Sequence, residues 1–120
     1  MKLPGPDHPI TISPAQKHIR VMAGDIVIAD TTQALSLKEA SYPAVLYIPR
    51  GDADAKLIEK TSRTTHCPYK GDASYYSIKA GGKVLENAIW TYETPFPAMA
   101  EIKDYLAFYP DKVTIEEVAA

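Results

Sequence analysis

The glycine pair Gly81-Gly82 is the feature that most constrains the fold, because a strand-like stretch lies on each side of it. Residues 73–78 precede the pair and residues 83–93 follow it, and both stretches are rich in β-branched and aromatic side chains. Glycine readily adopts the positive φ values that a two-residue hairpin turn requires. The sequence therefore predicts an antiparallel hairpin with its tip at Gly81-Gly82.

Shorter apolar runs upstream continue this pattern. Residues 19–22 and 25–29 are separated by a tight-turn signal at Gly24, which predicts a second hairpin. Residues 34–39 alternate apolar with polar side chains, as expected for a strand with one face on a core. Residues 44–48 are continuously apolar between two prolines, which predicts a fully buried strand.

Two segments favour helical turns instead. Residues 53–61 form the clearest helix candidate, because Asp52 or Asp54 can cap the free N–H groups and apolar side chains recur at helical spacing. Two closely spaced prolines later precede a predicted helical turn over residues 99–105, after which residues 105–115 resume as a strand interrupted by a second turn signal.

The length of the chain predicts one domain, since 120 residues is close to the commonest domain size. Residues 1–12 are predicted to be a flexible or surface-lying N-terminal tail, because three prolines and a glycine disfavour regular structure there. No parallel βαβ rhythm is evident. We therefore expect a mainly-β, antiparallel domain of residues 1–120 with one or two short helices.

The charge and the apolar segments of the chain argue against two classes of partner, nucleic acid and membrane. The formal net charge is -2 at pH 7 and the basic residues are scattered, so nucleic acid is not an expected partner. No apolar stretch approaches the roughly 20 residues needed to span a bilayer, and the N-terminus lacks the apolar segment of a secretory signal. The cytoplasm is the expected location, and the oligomeric state is undetermined.

Cys67 is the only cysteine, so neither an intrachain disulfide nor a multi-thiolate zinc site can form. The chain does contain enough ligands for a mixed site that combines Cys67 with His8, His18 or His66. The spacing of these residues resembles no metal-ligand pattern. The sequence therefore predicts no metal site.

The densest group of reactive side chains lies between Thr65 and Gly71, which we expect to form one loop. Lys70 or His66 could stabilise a Cys67 thiolate and make it nucleophilic. The alternative is that Cys67 is a small buried apolar residue and Lys70 a solvated charge. Lys70 could also meet a phosphate or carboxylate, although the segment lacks the glycines of a nucleotide-binding P-loop.

Outside this segment, Glu39 is the most interesting acidic residue, because it ends a strand with one buried face and could point inward. Arg20 is expected to alternate outward into solvent unless Glu39 lies opposite it. Trp90 and Tyr92 share a strand face, with Tyr75 or Tyr76 across the hairpin. Such aromatics usually pack against one another, and a ligand-stacking platform is the alternative.

Three longer segments, residues 47–52, 65–76 and 87–95, resemble the family called domain of unknown function 427. The resemblance covers residues 20–113. Family positions are matched by these residues: Arg20, Glu39, Tyr47, Asp52, Thr65, Cys67, Lys70, Gly71, Tyr75, Trp90 and Tyr92.

The resemblance implies a small antiparallel fold of the Mss4-like or β-tent type. Relatives of that architecture include zinc modules and methionine sulfoxide reductases of the B type, whose zinc sites use paired cysteines that this chain lacks. The family also carries a nucleotidyltransferase-like label, but the chain has no glycine-serine turn followed by paired aspartates for catalytic magnesium. The sequence therefore leaves the cofactor, if any, unknown.

Two functions follow as hypotheses. The first is a domain that binds a small polar or aromatic ligand in a pocket near the segment from Thr65 to Gly71, with or without enzymatic activity. Its candidate ligand-binding residues are Arg20, Glu39, Tyr47, Thr65, Cys67, Lys70, Tyr75 and Trp90, and its candidate catalytic residues are Cys67, Lys70 and Glu39. The second is a non-catalytic interaction or scaffold module. A concave site would favour the first, and a flat aromatic patch the second.

Overall fold

Residues 1–119, which the computed structural model describes, form ten strands in two antiparallel sheets. The strands are β1 (Ile10–Pro14), β2 (Ile19–Ala23), β3 (Ile26–Thr31), β4 (Leu35–Glu39), β5 (Val45–Ile48), β6 (Ile58–Cys67), β7 (Gly71–Ala80), β8 (Lys83–Thr91), β9 (Leu106–Phe108) and β10 (Thr114–Glu117). The larger sheet has the order β1-β4-β5-β9-β8-β7-β6, and the smaller has the order β10-β2-β3. The predicted mainly-β, antiparallel class is confirmed.

Both predicted hairpins form. Strands β7 and β8 meet at Gly81-Gly82, where both glycines have positive φ, +61° and +76°. Strands β2 and β3 meet at Gly24, whose φ is +59°. The strands predicted over residues 34–39 and 44–48 correspond to β4 and β5, although only the second half of β5 is fully buried.

The helix predicted over residues 53–61 is wrong. One 3₁₀ turn, Arg50–Asp52, precedes this segment, a second, Ala55–Leu57, lies near its start, and β6 begins at Ile58. Asp54 does cap the second turn by accepting a hydrogen bond from the Lys56 N–H at 3.0 Å. The backbone N–H and C=O groups of β6 form their hydrogen bonds with β7 instead of within a helix. Pairing with a distant strand therefore overrides the local helical spacing of apolar residues.

The segment from Thr65 to Gly71 was predicted to be a loop and is instead the end of a hairpin. Thr65 and Cys67 are among the last three residues of β6, and Gly71 is the first residue of β7. Only the residues from Pro68 to Lys70 form the turn. Proline supplies no N–H for the ladder, which ends β6 at this point.

The two sheets pack against each other through a core of aliphatic side chains. The small sheet contributes Ile19, Val21 and Ile28, and the large sheet contributes Ile78 and Ile89, all almost completely buried. This core covers only one face of the large sheet. Its opposite face is therefore available to form a second cluster.

That second cluster is aromatic and lies on the other face of the large sheet. One cross-strand row runs over five strands, with each pair directly opposite in register: Leu35, Tyr47, Ala107, Trp90 and Tyr75. A 3₁₀ segment, Pro97–Ile102, covers part of this face with Met99 and Ile102. It occupies the place where a helical turn was predicted over residues 99–105.

The N-terminal segment lies against the turn between β6 and β7. The Lys2 N–H donates to the Pro68 carbonyl at 2.7 Å, and the Ala40 N–H donates to the Pro9 carbonyl at 2.8 Å. Residues 10–12, which the sequence placed in a tail, belong to β1 and pair with β4. This segment therefore reaches the end of β4, where Glu39 lies.

Among residues 1–119, no helix has both the length and the apolar character needed to cross a bilayer.

Candidate functional site

A cavity of about 610 Å³ opens on the aromatic face of the large sheet. It lies where β4, β5, β7 and β8 approach the segment that follows β9. Its aromatic lining consists of Tyr42, Tyr47, Tyr75, Trp90, Tyr92, Phe108 and Tyr109, and its charged lining consists of Glu39 and Lys70. The site is therefore an aromatic cleft with charge at one end.

The aromatic walls are held by contacts between neighbouring strands. The Trp90 Nε1–H donates a hydrogen bond to the Tyr47 hydroxyl at 3.2 Å. The two rings meet edge to face, with centroids 6.4 Å apart and an angle of 86° between their planes. Tyr109 lies on the other side of Trp90, at 4.5 Å between centroids. These contacts fix Trp90 in the cavity wall.

At the charged end, the Lys70 ammonium donates to Glu39 Oε1, and His8 donates through Nε2 to Glu39 Oε2 at 2.7 Å. Lys70 is only 7% exposed. Burial acts to raise the pKa of Glu39, but the hydrogen bonds from Lys70 and then from His8 outweigh it and hold that pKa below its ordinary value. Glu39 is thus an ionised carboxylate with both oxygens engaged.

The turn geometry brings Lys70 inward. The Lys70 carbonyl accepts a hydrogen bond from the Phe96 N–H at 2.9 Å, which binds the turn to the segment after β8. Gly71 follows with a φ of +112°, and an added Cβ would lie 3.4 Å from the Thr94 carbonyl oxygen. A side chain at Gly71 would therefore be strained and crowded, so glycine is required for this approach.

Cys67 is half-buried, and its Sγ lies 3.8 Å from the Lys70 Nζ. The thiol is not among the groups that line the cavity. Lys70 therefore lies between Cys67 on one side and Glu39 on the other. The predicted proximity of Cys67 and Lys70 is present, and the nucleophilic role stays a prediction.

We expect Cys67 to alkylate faster near neutral pH than a free cysteine, because the Lys70 ammonium lies 3.8 Å from its sulfur. Lys70→Ala should slow the reaction, and Glu39→Gln should accelerate it by removing the competing negative charge. Iodoacetamide kinetics on the native protein measure all three rates. A Cys67 that reacts only on unfolding, in every variant, would contradict this prediction.

Tyr75 connects the cavity to a polar group beneath it. Its hydroxyl is hydrogen-bonded to the Thr65 hydroxyl at 2.9 Å and lies 3.5 Å from the Tyr109 hydroxyl, while the Arg63 guanidinium lies 5.0 Å from its ring centroid. Burial acts to raise the pKa of Tyr75, but these hydrogen bonds and the nearby cation lower it overall. Burial raises the pKa of Tyr109 to about 12.

The structure gathers most of the predicted site residues in one place. Five of them line the cavity: Glu39, Tyr47, Lys70, Tyr75 and Trp90. Two more do not line the cavity but contact residues that do. Cys67 contacts Lys70, and Thr65 is hydrogen-bonded to Tyr75.

Arg20 lies elsewhere. It belongs to the small sheet, where its Nε donates to Asp30 at 3.1 Å and its Nη1 lies 4.0 Å from Glu116. Arg20 does not lie opposite Glu39, because β2 and β4 belong to different sheets, and a ligand contact by Arg20 stays a prediction.

Three site residues are absent from the predicted ligand-binding set: His8, Tyr92 and Tyr109. The sequence indicates His8 only as a candidate metal ligand, since nothing in a proline-rich segment shows that it contacts Glu39, 31 positions later. Tyr109 follows the short strand β9 next to a turn, and no periodicity identified it. A weak signal existed for Tyr109 in the local clustering of tyrosines after Asp104.

Within the described part of the chain, residues 1–119, no three histidine, cysteine or acidic side chains cluster as metal ligands would. We expect purified protein to contain no stoichiometric zinc, because a closed zinc site needs four ligands. Elemental analysis by mass spectrometry measures the metal content. One zinc per chain that disappears in Cys67→Ser would contradict this expectation.

These features define a class: a small antiparallel β domain whose large sheet carries an aromatic cleft with a partly buried ion pair at one end. The chain belongs to the family described as Domain of unknown function (DUF427), whose model matches residues 11–119. The resemblance inferred from the sequence is thereby confirmed. No curated protein matches the chain.

Proposed function

We propose that this domain binds a small planar ligand in the aromatic cleft. The observation that carries the proposal is the concavity itself, a volume of about 610 Å³ in which Tyr47 and Trp90 form a wall and the Glu39–Lys70 pair forms one end. Small-molecule sites typically occupy about 300–1,000 Å³, with apolar and aromatic walls and a few fixed polar groups. The cleft matches that description.

The polar groups of the cleft are already in place before any ligand arrives. Trp90 is fixed between Tyr47 and Tyr109, and Lys70 is fixed by Glu39. A pre-organised site loses little side-chain entropy on binding. Rigidity of this kind supports a binding role for the cleft.

The scaffold alternative receives less support. An interaction surface built from these tyrosines would leave them exposed, yet Tyr47, Tyr75 and Tyr92 are buried in the cleft walls. Among residues 1–119, the large apolar side chains that are exposed are Met1, Leu3, Val27, Tyr42 and Val84, and Tyr42 lies at the cleft itself. These residues are scattered through the sequence, and single exposed apolar residues are normal on a protein surface.

Any catalysis in this cleft would use Glu39 and Lys70, since both face the cavity and Cys67 lies behind Lys70. An ammonium that faces a bound ligand can donate a proton to it, and a paired carboxylate can hold that ammonium in place. Binding is the primary proposal, and turnover is a separate question for the same residues.

The test uses Trp90, the only tryptophan in the chain, whose indole N–H gives a single NMR resonance. Titration with methyl naphthyl ketone should shift this resonance in a saturable way. Val45→Phe should abolish the shift, because Val45 lines the cleft and the larger ring fills it. Val84→Phe, which adds the same volume at a position that is 56% exposed, should leave binding unchanged. An indole resonance that moves equally in both variants would exclude the cleft as the site.

Three further expectations accompany this proposal. The β-tent or Mss4-like relationship stays an inference from the resemblance, supported by the two antiparallel sheets. Location in the cytoplasm and absence of nucleic-acid partners stay predictions from the sequence and its net charge of -2.

A further inference from the structure

The acceptor groups at the charged end of the cleft are already used. Glu39 is the only carboxylate among the residues that line the cavity, and both of its oxygens accept hydrogen bonds, one from Lys70 and one from His8. A carboxylate with two charge-assisted partners is a poor acceptor for a further donor. A ligand that approaches this end therefore meets little free acceptor capacity.

Lys70, in contrast, has donor capacity to spare. Its ammonium carries three N–H bonds, of which one points to Glu39 and one to the Cys67 sulfur. The residue also lines the cavity. One ammonium donor is consequently left for an acceptor in the cleft.

Tyr47 supplies a second donor. Its oxygen accepts from Trp90 Nε1–H, and an indole nitrogen can only donate, so the phenolic proton of Tyr47 is not used in that bond. Tyr47 lines the cleft and is 1% exposed overall, so little bulk water competes for this proton. Burial also raises the pKa of Tyr47, so that its hydroxyl keeps the proton.

Tyr92 supplies a third donor. Its side chain makes no hydrogen bond with the other residues between 1 and 119, yet no fully buried side-chain oxygen in that range lacks a partner. The Tyr92 hydroxyl must therefore reach open space, and Tyr92 lines the cleft. Burial raises the pKa of Tyr92, which keeps this hydroxyl protonated as well.

From this excess of donors, we infer that the ligand of the cleft is a planar aromatic molecule bearing a carbonyl or carboxylate oxygen, held by Lys70, Tyr47 and Tyr92. The inference rests on the proposed binding function and narrows it. Leaving buried donors unpaired is costly, so a ligand without an acceptor binds more weakly. A ligand whose polar group is an ammonium would meet the like charge of Lys70 at this end of the cleft.

The experiment compares ligands that share one ring. Methyl naphthyl ketone presents a carbonyl, its matching primary amine presents an ammonium in the same place, and naphthalene presents neither. The Trp90 indole resonance measures each dissociation constant. We expect the ketone to bind at least tenfold more tightly than the amine, in line with one or more hydrogen bonds of about 1.4 kcal/mol.

Two tyrosine variants test the named donors. Tyr47→Phe and Tyr92→Phe each remove a hydroxyl and keep the ring, and each should bring the affinity for the ketone toward that for naphthalene. Tyr105→Phe is the matched control, because Tyr105 packs against the same aromatic cluster but does not line the cleft. Naphthoate, measured in parallel, shows whether the preferred oxygen is neutral or charged.

The outcomes separate the two proposals. An amine that binds as tightly as the ketone, or a ketone affinity unchanged in both Tyr47→Phe and Tyr92→Phe, would overturn the donor-lined cleft while leaving ligand binding intact. Failure of every naphthyl compound to shift the indole resonance of the wild-type protein would overturn both proposals.

Discussion

Replacing Glu39 by glutamine is expected to lower the free energy of unfolding by about 2 kcal/mol, less than for a fully buried ion pair because the Glu39 side chain is 18% exposed. The reason is the environment of Lys70, which is 7% exposed and would be left as a buried ammonium without a counter-charge. His8 would lose its carboxylate partner in the same step. Urea denaturation followed by circular dichroism measures the effect.

An exposed ion pair provides the control. Glu59 pairs with Lys79, and both side chains are more than half exposed, at 60% and 54%. Glu59→Gln should change stability by no more than about 0.5 kcal/mol, as for other surface pairs. The double variant Glu39→Gln/Lys70→Met should recover part of the loss, because it removes the unpaired charge. Equal effects of Glu39→Gln and Glu59→Gln would show that the Glu39–Lys70 pair is not buried in solution.

The same pair predicts a pH dependence of stability. The pKa of Glu39 lies below its ordinary value of 4.5 in the folded protein, so the folded state binds the proton less well than the unfolded state. The stabilisation is therefore fully present above pH 4.5 and is lost as the pH falls through the folded pKa. Wild-type and Glu39→Gln stabilities should converge on acidification. Curves that stay parallel from neutral pH to the acid transition would contradict this assignment.

Ile89→Ala is expected to lower the free energy of unfolding by about 3 kcal/mol, as for other fully buried aliphatic truncations. Ile89 has no exposed surface and lies in the core between the two sheets. Val84→Ala, in the same strand but 56% exposed, should cost less than about 0.5 kcal/mol. Comparable losses for the two variants, measured by denaturant midpoints, would mean that the sheets do not pack through this core.

Much of the fold was predictable because its signals are local. The β7–β8 and β2–β3 hairpins depend on the positive φ of Gly81, Gly82 and Gly24, which the neighbouring residues already indicate. The first error came from residues 53–61, where apolar spacing suggested a helix but pairing with β7 decided the structure. Strand pairing involves distant residues, and no local pattern reports it.

The candidate site was predictable to the extent that strand alternation decides which face a residue occupies. Glu39 follows Leu35 and Leu37 on one face of β4, and Trp90 lies directly opposite Tyr75. His8 was not predictable, since its place depends on the path of the N-terminal segment over the β6–β7 turn. The place of Arg20 away from the cleft was not predictable either, because its membership of the separate small sheet is a property of the complete topology.

The most direct test of the proposed cleft is a crystal structure of the domain with methyl naphthyl ketone. The account predicts the ring against Trp90 and Tyr47, with the carbonyl oxygen within hydrogen-bond distance of Lys70, Tyr47 or Tyr92. A ring bound on the outer surface, with only water in the cleft, would contradict it.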